Sequence, residues 1–406
     1  MIATTAATAA SSAPKPTTAS ASGAPAGDHF ALPFGAVRLR FGAGSLDTLD
    51  EVAAHHGRRA LIVTDPGVIA AGHVDRAAER LRLAGLEVTI YDGVRENPTE
   101  LEVLGGLDVA RAHEVDLLVA VGGGSSMDCA KGINFLLAGG GSMEDYWGDG
   151  RALGTLLPSV GVPTTAGTGS EAQRFALISR NSDHRKMACG DEQARFRDVL
   201  LDPDLLTTVP RLTAAHAGID AVSHAIESLV TTRGNRASRL YSREAWRLLE
   251  RSLEAYLDDP ARDDEEGVAA RGDVALGSHL GGAAIEASML GAAHACANPL
   301  TARFDIVHGA AVGLMLPHVV RFNAAEPAVA GRYAEIVPSG PETLARRLSE
   351  LLAAAGLPAT LEEHGVDRAT LDDLAADAAE QWTGQHNPRP VDAASLRGLY
   401  NDAFSV

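Results

Sequence analysis

Short apolar runs alternate with amphipathic stretches from about residue 36 to 200, and beyond about residue 207 long helical periods take over. RALIVTD (59–65) reads as a buried strand, with LEVTIYD (86–92) and DLLVAVGGG (116–124) as a second and a third. HVDRAAERLRLAG (73–85), TELEVLGGLDVARAHE (99–114) and SSMDCAKGINFLLAG (125–139) carry their apolar residues at helical spacing. Strand and helix recurring in this way imply right-handed crossovers and a parallel sheet covered on both faces. In the second half Thr213–Leu229, Ala237–Leu257, Gly267–Leu290 and Ala310–Asn323 all show helical periods, with few strand signals. The change of texture puts a boundary near Val209-Pro210. It predicts an α/β domain, 28–208, followed by an all-helical domain, 209–406, with the candidate site in the cleft between them.

Composition narrows the possibilities. An apolar fraction of 46% over 406 residues is enough for two full cores. The formal net charge of −18 argues against general affinity for nucleic acid or an anionic membrane, and reads as a self-repelling, soluble surface. No long uninterrupted apolar run appears, so no segment is expected to span a membrane. Cys129, Cys189 and Cys296 are scattered and lack CxxC spacing, which predicts neither a disulfide framework nor structural zinc and suits a reducing cytoplasm. Residues 1–27 are almost entirely Ala, Thr, Ser, Pro and Gly. Such a segment cannot bury enough apolar surface to offset ordering, so it reads as a disordered low-complexity tail.

Candidate chemistry lies in both halves. VGGGSSMDCAK sits where a strand ends and a helix begins. There Gly122, Gly123 and Gly124 let the backbone approach a phosphate, and the helix start at Ser125 and Asp128 offers free N–H groups. A glycine triplet at a strand end also reads as an ordinary turn. PTTAGTGSE (163–171) adds Thr164, Thr165 and Thr168, hydroxyls suited to phosphate, ribose or nicotinamide. Asp65 ends the first strand, where a carboxylate accepts from ribose hydroxyls and repels a 2′-phosphate, which favours NAD over NADP. It reads equally as a turn aspartate before Pro66. Asn97 in ENPT (96–99) and Lys186 in HRKMACGD are further cofactor candidates. In the second half Asp220 and His224 stand four apart on a helix face, followed by His294 and His308 among Gly and Ala. Three imidazoles and one carboxylate suit a divalent first-row metal such as Fe(II) or Zn(II).

Together the strings VTDPG, ENPT, VGGGSSMDCAK, PTTAGTGSE, GIDAVSHAIE, the GAAH and DIVHG pair, LPHVVRFN and NPRP resemble the iron-containing (group III) alcohol dehydrogenases, in the family's order. The resemblance covers nearly all of the chain beyond the tail. It implies a Rossmann-like α/β domain, an all-α C-terminal domain, NAD, and one catalytic divalent metal held by Asp220, His224, His294 and His308. It further implies metal-polarised hydride transfer on a small aliphatic alcohol, diol or aldehyde, in a homodimer or larger assembly. One position departs from the family: Asn298 stands where a second histidine is common, near metal and substrate, and an amide cannot shuttle a proton near neutral pH. Glycerol dehydrogenase and dehydroquinate synthase share the architecture and remain an alternative, as does a catalytically degenerate structural subunit. His216, His318 and His386 read as surface, core and loop residues, His386 also as a relay candidate, and Cys296 as packing.

Overall fold

Ten strands form two sheets in the computed structural model, which describes residues 30–34, 37–182 and 185–405; the tail read at 1–27 lies outside the described residues. They are β1 (Phe30–Phe34), β2 (Val37–Phe41), β3 (Arg59–Val63), β4 (Glu87–Tyr91), β5 (Leu117–Gly122), β6 (Gly148–Asp149), β7 (Ser159–Pro163), β8 (Phe175–Ser179), β9 (Lys186–Gly190) and β10 (Asp198–Leu201). The larger sheet runs β1-β2-β10-β7-β5-β3-β4, parallel throughout except for β1 at one edge. Its central strands β5 and β7 are buried at every residue, because helices cover both faces, and this is why DLLVAVGGG reads as a continuous apolar run.

Register explains why motifs far apart in sequence meet. Val63 pairs with Ala120 and Gly122 with Pro163, so β3, β5 and β7 finish together. Asp65, the Gly122–Gly124 turn and Thr164–Thr168 therefore emerge at one carboxyl edge, the end at which such sheets bind nucleotides. The small sheet β6-β9-β8 carries Lys186 at the start of β9.

The second half is helical, as its texture predicts. The Arg211–Val230 helix is buried on nearly every side from Gly218 onward and packs against Arg236–Asp258, Glu265–Glu286 and His308–Asn323. A helix apolar all round belongs at the centre of a bundle, and this one carries Asp220 and His224. The long period read at Gly267–Leu290 is not one helix to its end. The helix stops at Glu286, Ser288 turns its hydroxyl back to the Ala284 carbonyl (2.6 Å), and a new helix runs Ala292–Phe304. Met289 and Leu290 extend the apolar period without extending the helix. No helix among the described residues is long and apolar enough to cross a membrane.

Candidate active site

Three helices bring four ionisable side chains to one carboxylate oxygen. Asp220 Oδ1 lies 3.3 Å from His224 Nε2, 3.7 Å from His294 Nε2 and 3.8 Å from His308 Nε2. Asp220, His224 and His294 are buried and each offers a ligand atom within 4.8 Å of the others, while His308 keeps a quarter of its side chain exposed. The His224 and His294 rings stack at 5.1 Å, and His308 tilts against His294 at 5.2 Å. Small residues permit the approach. A Cβ on Gly309 would lie 2.0 Å from the His216 carbonyl, so only glycine lets the helix that begins with His308 reach the Asp220 helix.

Asp220 Oδ1, His224 Nδ1, His294 Nε2 and His308 Nδ1 have no hydrogen-bond partner. Orphaned buried polar atoms cost free energy unless something satisfies them; two of these, Asp220 Oδ1 and His294 Nε2, face each other at 3.7 Å beside the Nε2 atoms of His224 and His308, an arrangement that fits a bound cation. The electrostatics agree. Burial would raise the Asp220 carboxyl, but the facing imidazoles of His224, His308 and His294 outweigh it and hold it far below the usual range. Burial lowers His224 and brings His308 down to about 3, leaving both neutral, as ligation requires. His294 goes the other way: burial would lower it, yet Glu227 and Asp220 together raise it to about 9.

At the sheet's carboxyl edge the two polar loops pack on each other. A Cβ on Gly124 would meet Thr168 Oγ1 at 2.5 Å, and one on Gly123 would meet Thr165 Oγ1 at 3.0 Å. Thr164 is buried and its amide donates to the Gly122 carbonyl (2.9 Å). Gly123, Gly124 and Ser125 remain half-buried, open on one side. Asp65 does what a turn aspartate does, its Oδ1 accepting from Gly67 N (2.8 Å) and Val68 N (3.1 Å) to cap a short helix. Its Oδ2 nevertheless faces Gly122, 3.6 Å from where a Cβ would stand.

Other expected residues take different places. Asp128 is buried and accepts from Ser170 Oγ (2.5 Å), with Lys131 Nζ at 4.0 Å, so its side chain faces the second loop from within. Asn97 is exposed with φ 52, a left-handed conformation that asparagine tolerates. Lys186 is half-buried. Burial lowers its pKa, opposed by the fields of Asp128, Asp220 and Glu96, which sets it between the loops and the histidine cluster. Asn298 donates its amide to Gln381 (3.0 Å), one turn along the helix from His294. His386 uses its carbonyl, which accepts from Thr232 N (2.9 Å) and Thr231 Oγ1 (3.1 Å), while Cys296 is packing, fully buried.

Two residues that sequence reasoning passed over matter here. Lys131 is buried and donates to Ser170 O (2.8 Å), Ser170 Oγ (3.0 Å) and Phe175 O (2.8 Å), fastening the first motif to the second. Glu227 is buried with its Oε2 2.5 Å from His294 Nδ1. The available signal was its position seven residues after Asp220 and three after His224, on the same helix face. The second loop also lies on the helical half: a Cβ on Gly167 would meet Ala217 Cα at 2.8 Å, and one on Gly169 would meet Gly282 Cα at 2.5 Å.

With this geometry in place, comparison with known proteins decides the family. A model described as iron-containing alcohol dehydrogenase matches residues 36–203, and one described as Fe-containing alcohol dehydrogenase family, C-terminal, matches 214–404. The chain belongs to the iron-containing alcohol dehydrogenases. It is 32% identical to alcohol dehydrogenase 4 of Schizosaccharomyces pombe over 371 residues, spanning 90% of this chain and 87% of that protein. It is 30% identical over 363 residues to an NAD-dependent methanol dehydrogenase of Bacillus methanolicus, spanning 86% and 92%. A solved 1,3-propanediol oxidoreductase superposes with a TM-score of 0.85 at 30% identity, over 93% of this chain and 99% of that one. The expected architecture, a parallel α/β part followed by a helical part, is that of these structures, and the activity is that of an alcohol-dehydrogenase-type oxidoreductase.

Proposed function

We propose that the protein is an NAD(H)-dependent, divalent-metal-dependent alcohol dehydrogenase and aldehyde reductase for small aliphatic alcohols, diols or aldehydes. The observation that carries the reading is the meeting of the His224, His294 and His308 Nε2 atoms about Asp220 Oδ1, with Asp220 Oδ1 and His294 Nε2 unsatisfied. These four would hold the ion, Fe(II) or in its place Zn(II). The helical part, 209–406, thus serves the metal, and the α/β part, 28–208, serves the nucleotide. Bound together, the ion supplies Lewis acidity toward a substrate oxygen and the nicotinamide gives or takes a hydride.

The chain's own residues do the rest. His224 and His308 are neutral, so each has a lone pair to offer. Gly122, Gly123, Gly124 and Ser125 cradle a pyrophosphate with backbone N–H groups, and Thr164, Thr165 and Thr168 wall the same loop. Asp128 acts from behind, through Ser170. The Asp65 Oδ2 accepts from ribose hydroxyls and disfavours a 2′-phosphate. Asn97 borders the site, and Lys186 neutralises negative charge between nucleotide and metal. Asn298 provides no proton relay while its amide is given to Gln381. A homo-oligomer working in the cytoplasm completes the proposal, in keeping with three buried free cysteines.

NADH and NADPH consumption by anaerobically purified protein across a panel of short aldehydes tests this reading. NADH oxidation that far outpaces NADPH oxidation on at least one aldehyde is expected. Tight NADH binding without turnover on any aldehyde or alcohol would instead favour the lyase-like relatives or a degenerate subunit.

A further inference from the structure

His294 is held from behind. Its Nδ1 lies 2.5 Å from Glu227 Oε2, and its Nε2, 3.7 Å from Asp220, has no hydrogen-bond partner. The other oxygen of the same carboxylate, Oε1, accepts the Ala293 amide (2.7 Å) in the first turn of the Ala292–Phe304 helix. A carboxylate with both oxygens so engaged accepts and does not donate. When the imidazole gives up its second proton, as ligation requires, Nδ1 is therefore the nitrogen that keeps its proton and Nε2 the one that turns a lone pair toward Asp220.

Asn387, first residue of the NPRP string, works beside it. Its Oδ1 accepts the Ala292 amide (3.2 Å) and the Asn323 amide (3.1 Å), and its Nδ2 donates to Asn323 Oδ1 (2.7 Å) and Arg389 O (2.7 Å). Asn323 closes the helix that His308 opens. Asn387 thus ties the start of the helix bearing His294 to the far end of the helix bearing His308. A Cβ on Gly291 would lie 2.9 Å from Asn387 Oδ1 and 3.0 Å from Glu227 Oε1, so glycine there lets both acceptors reach the helix start. Glu227, Asn323 and Asn387 are all buried, and none is one of the four proposed ligands.

We infer that Glu227 is a positioning residue that fixes the tautomer and aim of His294 and, with Asn387, anchors the helix that carries it. This rests on reading Asp220, His224, His294 and His308 as a metal centre. Glu227→Gln breaks the arrangement whichever way its amide turns. With the amide oxygen toward His294, an NH2 confronts the Ala293 N–H. With the NH2 toward His294, Nδ1 must accept, and the proton moves to Nε2, where it blocks the metal.

The test measures Zn(II) affinity of the metal-stripped full chain by competition with a chromophoric chelator, together with the Tm of the stripped protein. Wild type, Glu227→Gln, Glu227→Asp and His294→Ala are compared. Glu227→Gln is expected to bind Zn(II) about 10–100-fold more weakly, with Glu227→Asp between it and wild type. Wild-type affinity in Glu227→Gln overturns the inference, whatever its Tm. Should Glu227→Gln not fold, Glu227→Asp decides: its shorter carboxylate cannot reach both partners, so weaker binding at an unchanged stripped Tm supports the role and unchanged affinity overturns it. If wild type takes up no Zn(II), or His294→Ala binds it as tightly as wild type, the metal-centre reading fails instead.

Discussion

At the carboxyl edge of the larger sheet, Lys131, Asp128 and Asp65 have found protein partners. Lys131 gives three hydrogen bonds, Asp128 takes one from Ser170, and Asp65 caps a helix. In the helical half, Asp220 Oδ1, His224 Nδ1, His294 Nε2 and His308 Nδ1 are left without any. Both clusters are built from buried charge, so burial alone does not mark a site. The difference is that one network closes on itself and the other leaves buried polar atoms unpaired. A closed network is a frame: Lys131 and Asp128 fasten the two loops to each other. An open network leaves side-chain atoms without partners, and the proposed function gives those side chains to a metal.

Removing a member of the open network should have the largest effect. Asp220→Ala takes away the oxygen that all three imidazoles face, and Zn(II) or Fe(II) content and aldehyde-dependent NADH oxidation are expected to fall by more than about 100-fold, beyond what loss of an outer partner costs. The fold should survive, because Asp220 Oδ1, the oxygen the imidazoles face, has no hydrogen-bond partner. Metal analysis and circular dichroism on the purified variant check both halves. Retained metal and turnover would erase the contrast between the two clusters.

Breaking the closed network should cost stability first. Lys131→Met strands the buried Asp128 and two carbonyls, with an expected loss of about 3–5 kcal/mol, the range for a broken buried pair. Its pH dependence has a definite sign. Burial brings Lys131 from the ordinary 10.5 down to about 8, against the pull of Asp128, Glu286 and Glu171. Between those values the unfolded chain keeps the proton that the native state has released, so wild-type stability rises with pH over that window. Lys131→Met lacks this rise, which denaturant titrations at pH 7, 8, 9 and 10 would reveal. A constant gap between the two proteins across the window would contradict the account.

The smallest change sharpens the comparison within a single residue. Asp65→Ser keeps a helix-capping oxygen while removing the charge that faces Gly122. The preference for NADH over NADPH, as a ratio of kcat/KM values, is expected to drop by about tenfold, roughly 1.4 kcal/mol. An unchanged ratio would leave Asp65 as a cap and nothing more.

How much of this was legible from sequence follows the same division. The grouping of Asp220, His224 and His294 was legible because the first two share a helix face and the third stands in a string that resembles the family's motif. The strand ends were readable because β3 and β5 are buried on both faces and so run apolar without a break. β2, by contrast, is VRLRF, with arginines at alternate positions, and β6 has two residues; neither gives such a run. The false continuation through Met289 and Leu290 arose because apolar period does not report where the helical backbone bonds end, here with the Ser288 amide tightening to the Ile285 carbonyl. Lys131 and Asp128 were quoted inside a motif, but no local pattern says that their partners are Ser170 and Phe175, some forty residues on. Glu227 lay in plain view on the right helix face. Its partner is set by the bundle, and sequence spacing within one helix does not reach that far.

The most direct test of the central claim is a titration of anaerobically stripped protein with Fe(II), and in parallel Zn(II), following bound metal and NADH oxidation on a responsive aldehyde in the same samples. Activity should be absent without metal and rise in proportion to it, with a break at about one ion per chain, the count one four-ligand cluster implies. Full turnover by the stripped protein, or metal uptake that leaves turnover unchanged, would show that the Asp220 cluster is not the catalytic centre.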